Sequence, residues 1–140
     1  MPEQSPIDIA KAQVTAYNDK NWDAVKEAVA PNVVYDEVGT NRTLKGVNDV
    51  ITAWKGWATA IPDSKATVTS AKASGNTVFL EVTWRGTHRG PLQTPTGDIA
   101  PTGRPIELRA VQVVEVANGK SQSIRQYFDM ATMLQQIGVA

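Results

Sequence analysis

Glu37, His88 and Asp129 are the residues of this chain best placed, by type and position, to move a proton. The 140 residues include one histidine and no cysteine. Disulfides, thiol nucleophiles, thiolate metal sites and multi-histidine metal centres are therefore excluded, leaving carboxylate or imidazole acid–base chemistry. Glu37 shares a strand phase with Tyr35 in the β-branched and aromatic run Val33–Val38. Held in an apolar interior, such a carboxyl suits abstraction of a proton from carbon; the competing reading is a solvated glutamate at a strand end. His88 follows a strand whose even positions, Val78, Leu80, Val82 and Trp84, are apolar. That phase aims Trp84 and His88 to the same inner side, with a backbone bond tying the following loop as the competing role. Asp129 directly precedes Met130, Met133, Leu134 and Ile137, which recur at helical spacing. Capping of a terminal helix therefore competes with a position at the mouth of a cavity.

The elements that must position these groups are legible as periods. Ser5-Pro6 reads as a cap followed by a first-turn proline, and Ile7, Ala10, Val14 and Tyr17 then share a helical face. A second short helix carries Trp22, Val25 and Val29 and is read as ending at Pro31. Strands follow over Val33–Val38 and, more briefly, Thr43–Lys45. After Gly46, Val50, Trp54, Trp57 and Ile61 predict a third helix, stopped by Pro62. From Lys65 the period becomes two: Ala66, Val68 and Ser70 alternate, Ser74-Gly75-Asn76 turns the chain, and the strand from Val78 follows. The segment Arg89–Arg104, rich in proline and glycine, reads as an irregular loop and a candidate lid. Ile106–Val116 and Ser121–Phe128 form a hairpin around Asn118-Gly119. With a three-residue loop, Ala117–Gly119, Val116 pairs with Lys120 and Gln112 lies opposite Ile124. Leu108, Ala110, Gln112 and Val114 then share a face with Ile124, Gln126 and Phe128; a two-residue loop would shift the pairing by one and mix the sets. Glu107 and Arg109 point outward as a surface or dimer-interface pair. Helices first and strands later, without repeats, predict an α+β fold in one domain over residues 1–140.

Composition narrows the function. Apolar residues are 41% and charged residues 20% of the chain, as in globular domains. Fourteen basic residues balance fourteen acidic ones, which argues against a nucleic-acid binder. The start has no basic region followed by an apolar run, and no stretch approaches the length of a membrane span, so a cytoplasmic protein is expected. In that setting the glycosylation-type triplet Asn41-Arg42-Thr43 is read as chance.

Four strings carry a family resemblance: Gly86-Thr87-His88-Arg89-Gly90, Pro101-Thr102-Gly103-Arg104, Asn118-Gly119-Lys120 and Gln135-Gln136-Ile137-Gly138, with Trp57 ahead of Ile61-Pro62-Asp63. In this order, on this series of elements, the chain from about Val14 to Gly138 resembles the SnoaL-like polyketide cyclases, a branch of the nuclear transport factor 2-like (cystatin-like) fold. The resemblance implies a cone-shaped α+β barrel. In it a strongly bent mixed or antiparallel sheet wraps three helices, a short C-terminal helix follows, and a small-molecule pocket lies inside. It also implies ring closure by aldol-type acid–base chemistry without metal or cofactor, and, by fold analogy, a homodimer. Its acid–base aspartate falls on Gln126 and a histidine partner on Gln112. An amide cannot act as a proton-transfer acid or base, so both glutamines are expected to orient a carbonyl instead. Glu37 falls near the base of the related ketosteroid isomerases. The expected ligand is a small hydrophobic carbonyl compound, walled by Tyr17, Tyr35, Trp57, Trp84 and Phe128, with Glu37, His88 or Asp129 supplying the titratable group. The expected enzyme is a lyase or isomerase. The alternatives are a non-catalytic binding protein of the same fold, and an epoxide hydrolase or ketosteroid isomerase-like enzyme.

Overall fold

The computed structural model describes residues 4–139. Met1–Glu3, on which the reading of the chain's start partly rests, lie outside the described residues, as does Ala140. Helix α1 (Pro6–Asn18) begins as its sequence directs: Ser5 Oγ accepts from the Asp8 N–H at 3.1 Å, and Pro6 sits where no N–H is required. Helix α2 (Trp22–Ala28) is capped by Asn21 Oδ1 and is shorter than the reading that carried it to Pro31. Strand β1 (Val29–Glu37) already begins at Val29. β-branched residues favour the extended chain there. Pro31, which has no N–H to give to a ladder, falls where pairing is interrupted between Val29 and Val34. Val38, read as strand, belongs instead to a single 3-10 turn, Val38–Thr40, after which Asn41 adopts a left-handed φ of 56°. Strand β2 (Arg42–Lys45) and helix α3 (Val47–Ala60) follow.

The long strands are β3 (Lys65–Ser74), β4 (Thr77–Thr87), β7 (Pro105–Ala117) and β8 (Lys120–Phe128). Six strands form a mixed sheet in the order β2-β1-β8-β7-β4-β3, antiparallel except where β1 lies parallel to β8. Its curved inner face packs on α1, α2 and α3. Trp54, Val82 and Ile124 are buried in this core beside Val14, Val50, Leu80 and Val114. Each fully buried aliphatic side chain there contributes roughly 1.5–3 kcal/mol. Helix α4 (Met130–Gln136) closes one end through Met133, which packs with Ile61, Leu92, Ile106 and Ile137 in a second cluster.

Three readings of the strand half need correction. In β3 the register slips between Val68 and Ser70, so Ser70 leaves the phase of Ala66 and Val68, and Ala71 turns toward the core. The segment Arg89–Arg104 is not wholly irregular: β5 (Leu92–Thr94) and β6 (Gly97–Ile99) pair as a small hairpin, anchored by buried Leu92. The β7–β8 turn has two residues, Asn118 (φ 55°) and Gly119 (φ 75°), with Ala117 opposite Lys120. That shift alone would have mixed the two faces. A bulge between Glu115 and Val116 adds a second one-residue slip, so Gln112 faces Gln126 rather than Ile124. Two slips restore the parity, and the expected inner set survives for a reason the sequence reading did not contain. On the outer face Glu107 pairs not with Arg109 but with Arg85, which stands directly across from it in β4 (2.7 Å). Both are exposed, so the pair contributes little.

Candidate active site

Inward alternation along β1 brings Val33, Tyr35 and Glu37 to one face, and all three are buried. The registers then set Glu37 opposite Arg42 of β2 on one side and Gln126 of β8 on the other. Gln126 in turn faces Gln112 of β7. A single row of the sheet therefore reads Arg42, Glu37, Gln126, Gln112, and hydrogen bonds run along it. Gln112 Nε2 donates to Gln126 Oε1 at 3.1 Å, Gln126 Nε2 donates to the Tyr35 hydroxyl at 2.7 Å, and Tyr35 donates to Glu37 Oε2 at 3.0 Å. Gln13 of α1 extends the chain, donating from Nε2 to Gln112 Oε1 at 2.7 Å and to Ala10 O. Every donor points toward Glu37, so each bond polarises the next.

Glu37 is fully buried, and both its oxygens are engaged. Oε2 also accepts from Trp57 Nε1 (2.9 Å), while Oε1 accepts from Thr40 Oγ1 (2.6 Å) and Arg42 Nε (2.8 Å). The Arg42 side chain, 42% exposed, supplies the balancing charge from the solvent side. Burial, the adjacent Glu37 charge and the bond to it push the Tyr35 phenol well above the usual 10.0, so Tyr35 enters this chain as a protonated donor. Trp84 Nε1 gives Gln126 Oε1 a second donor at 2.9 Å.

These groups line a cavity of about 70 Å³. Its wall includes Glu37, Tyr35, Tyr17, Trp57, Trp84, Gln112, Gln126 and Phe128. Gln13, Val14, Trp54, Ile61, Ser64, Ile106, Leu108 and Met133 complete it. Trp57, Trp84 and Phe128 are half-buried, and a multi-ring occupant enters only if such side chains give way.

His88 and Asp129 are not part of this wall. His88 is fully buried, and its Nδ1 lies 3.0 Å from Thr102 Oγ1 and accepts from the Thr102 N–H. The imidazole thus ties Gly86–Gly90 to the segment that leads into β7. Asp129 is exposed and caps α4, its carboxylate accepting from the Ala131 N–H and from Thr132 Oγ1. The Thr132 bond, with the backbone donors, holds this carboxyl below the usual 3.8. No residue of Arg89–Arg104 lines the cavity, so the segment has no lid contact there.

Gln13, Thr40, Arg42 and Ser64 were missed by the sequence reading. Gln13 had a signal: with Ala10, Val14 and Tyr17 it falls on one helical face, where a polar residue has to find an internal partner. Arg42 could have been found from the tight turn after Glu37, which places the two side by side on neighbouring strands.

The sequence profile of SnoaL-like polyketide cyclases matches residues 7–137. No curated protein matches the chain in sequence. Among solved structures, IdmH from Streptomyces antibioticus, a candidate polyketide cyclase, is similar at 26% identity and a TM-score of 0.82, over 97% of this chain and 100% of that one. A candidate SnoaL-like polyketide cyclase from Jannaschia sp. CCS1 superposes with a TM-score of 0.84 at 17% identity, over 100% and 99% of the two chains. AclR from Streptomyces galilaeus, a candidate hydroxylase, gives 0.80 at 21%, over 96% and 85%. The α+β cone of this chain is thus the fold of those proteins. With the profile matched over nearly its whole length, the chain belongs to the SnoaL-like polyketide cyclase family.

Proposed function

We propose that the protein is a cofactor-independent acid–base enzyme that enolises a small hydrophobic carbonyl compound, in the manner of a polyketide cyclase, with Glu37 as the proton-transferring group. One observation carries this reading: among the described residues Glu37 is the sole carboxylate in the cavity wall, which otherwise holds aromatic, aliphatic, thioether, amide and hydroxyl groups. Gln126 and Gln112 lie in the wall and are bonded to each other. As amides they cannot exchange the proton of an aldol step. Their part is to fix Tyr35 and Trp84 and to present remaining N–H groups to a carbonyl. A carbonyl oxygen lodged at the second N–H of Gln126, which stands across from Glu37 in the sheet, would bring its α-carbon toward Glu37, and the charge developing on the enolate would meet a preorganised donor.

A specific feature favours a second reading, that of a binding protein: both oxygens of Glu37 are already occupied by four protein donors. The two readings separate on one experiment. Hydrogen–deuterium exchange at the α-carbons of 1-tetralone, 2-tetralone and benzoylacetone, followed by NMR in D2O, reports enolisation without needing the natural substrate. An enzyme accelerates exchange of at least one of the three, and Glu37→Gln reduces that acceleration about 10²–10⁴-fold. A binding protein shifts the ketone resonances with no acceleration.

A further inference from the structure

The cavity has a second polar pole that the acid–base chain does not use. Tyr17 of α1 and Ser64, just ahead of β3, are both buried and both line the wall, and their hydroxyls are 2.7 Å apart. Two O–H groups share this single bond, and among the described residues neither makes another hydrogen bond. Whichever oxygen donates, one proton of the pair stays available to an acceptor.

The pair is held rigidly. The Tyr17 ring meets Trp22, Trp54 and Trp84 edge to face at 6.0, 6.1 and 5.2 Å, and the Lys20 ammonium lies 4.2 Å from its centroid. Ser64 is fixed by its N–H to Ile61 O (2.9 Å), and its carbonyl accepts from Lys20 Nζ. Burial raises the Tyr17 phenol above its usual range, outweighing the opposing pull of the Ser64 bond, so the hydroxyl keeps its proton. Trp54 packs edge to face on both Tyr17 and Tyr35. The two poles therefore flank one indole, and an occupant lying along it would reach both.

We infer that the Tyr17–Ser64 hydroxyl pair is a specificity site that donates a hydrogen bond to a second oxygen on the substrate, remote from the carbon that Glu37 deprotonates. The substrate class narrows to flat ketones carrying an acceptor oxygen, such as a ring hydroxyl, on the side opposite the enolisable carbon. This rests on the ketone reading of the cavity.

The test compares 1-tetralone with 6-hydroxy-1-tetralone, with binding read from the fluorescence of the cavity tryptophans. The wild-type protein is expected to bind the hydroxylated ketone about tenfold more tightly, the worth of one well-placed hydrogen bond. The double variant Tyr17→Phe/Ser64→Ala, which removes both donors, loses the preference, whereas each single variant leaves one hydroxyl proton free and keeps part of it; Ser64→Thr, which keeps the hydroxyl, retains it. Equal binding of the two ketones by the wild type, or a preference that persists in Tyr17→Phe/Ser64→Ala, overturns the specificity site alone. Failure of the wild type to bind either ketone overturns the ketone reading and the specificity site with it.

Discussion

The junction beneath the C-terminal end of α3 and the cavity are both dense in hydrogen bonds, but of different kinds. At the junction the backbone does most of the bonding. The Arg89 and Gly90 N–H groups both donate to Ala60 O, His88 and the Gly103–Arg104 backbone exchange a pair of bonds, and Asp63 accepts from the Thr87 N–H and hydroxyl. Gln136 bonds the Glu107 backbone through both its N and O atoms. Glycines make the close approaches possible: a Cβ on Gly90 would overlap the Thr59 carbonyl, and one on Gly86 would overlap Ile61. In the cavity, by contrast, side chains bond side chains: Gln13 of α1, Gln112 of β7, Gln126 of β8, and Tyr35 and Glu37 of β1. The junction ties together short contiguous strings that lie far apart in sequence; the cavity chain links single side chains of α1, β1, β7 and β8.

Breaking the junction should cost stability and spare the chemistry. Gly90→Ala places a methyl group against a backbone carbonyl that cannot swing aside, and we expect it to destabilise by about 2–3 kcal/mol in urea unfolding. The ketone exchange rate per folded molecule should stay within about twofold, because no junction glycine lines the cavity. A comparable fall in exchange rate would mean that the two regions are not separable.

Breaking the cavity chain at its centre should cost less stability and show a pH signature. Tyr35→Phe leaves a Gln126 N–H and a Glu37 lone pair without their partner, a loss of about 1–3 kcal/mol. In the wild type the phenol's folded value lies well above the unfolded 10.0. Above about pH 10 the unfolded chain therefore releases this proton while the folded chain keeps it, and stability falls as pH rises further. Urea midpoints measured from pH 8 to 11 should decline less steeply in Tyr35→Phe than in the wild type; an unchanged slope would remove Tyr35 as the source. Tyr17, also raised, contributes to the slope that remains, and Lys20, whose ammonium is held below its usual range by burial, opposes it.

The contrast between the regions also explains what could be read before any coordinates. The junction strings, with their glycines and cap residues, stood out as landmarks because each is contiguous and each glycine marks a steric demand. The fold followed from them and from the helical and strand periods. The cavity chain was legible only in part. Inward phase found Tyr35, Glu37, Gln112 and Gln126 singly, but their order along one row depended on two compensating slips in the β7–β8 ladder. A bulge leaves no periodic trace, since it changes the phase over a few residues only. Gln13 was hidden by helix periodicity, which marks apolar faces and passes over a polar residue within one. His88 shows the limit of phase alone: one residue past the end of β4, it turns into the junction rather than the cavity.

The smallest effects belong to the titratable groups outside the cavity, and they lead to the decisive comparison. Asp129→Asn keeps a capping side chain on α4 and should change stability by no more than about 0.5 kcal/mol. The central claim, that proton transfer belongs to the buried end of the cavity chain, is tested most directly by measuring α-carbon deuterium exchange side by side in wild type, Glu37→Gln, Asp129→Asn and His88→Gln. Exchange is expected to fall by about 10²–10⁴-fold in Glu37→Gln alone, with the other two variants near wild type per folded molecule. Exchange that survives in Glu37→Gln, or is lost in Asp129→Asn or in folded His88→Gln, would contradict it.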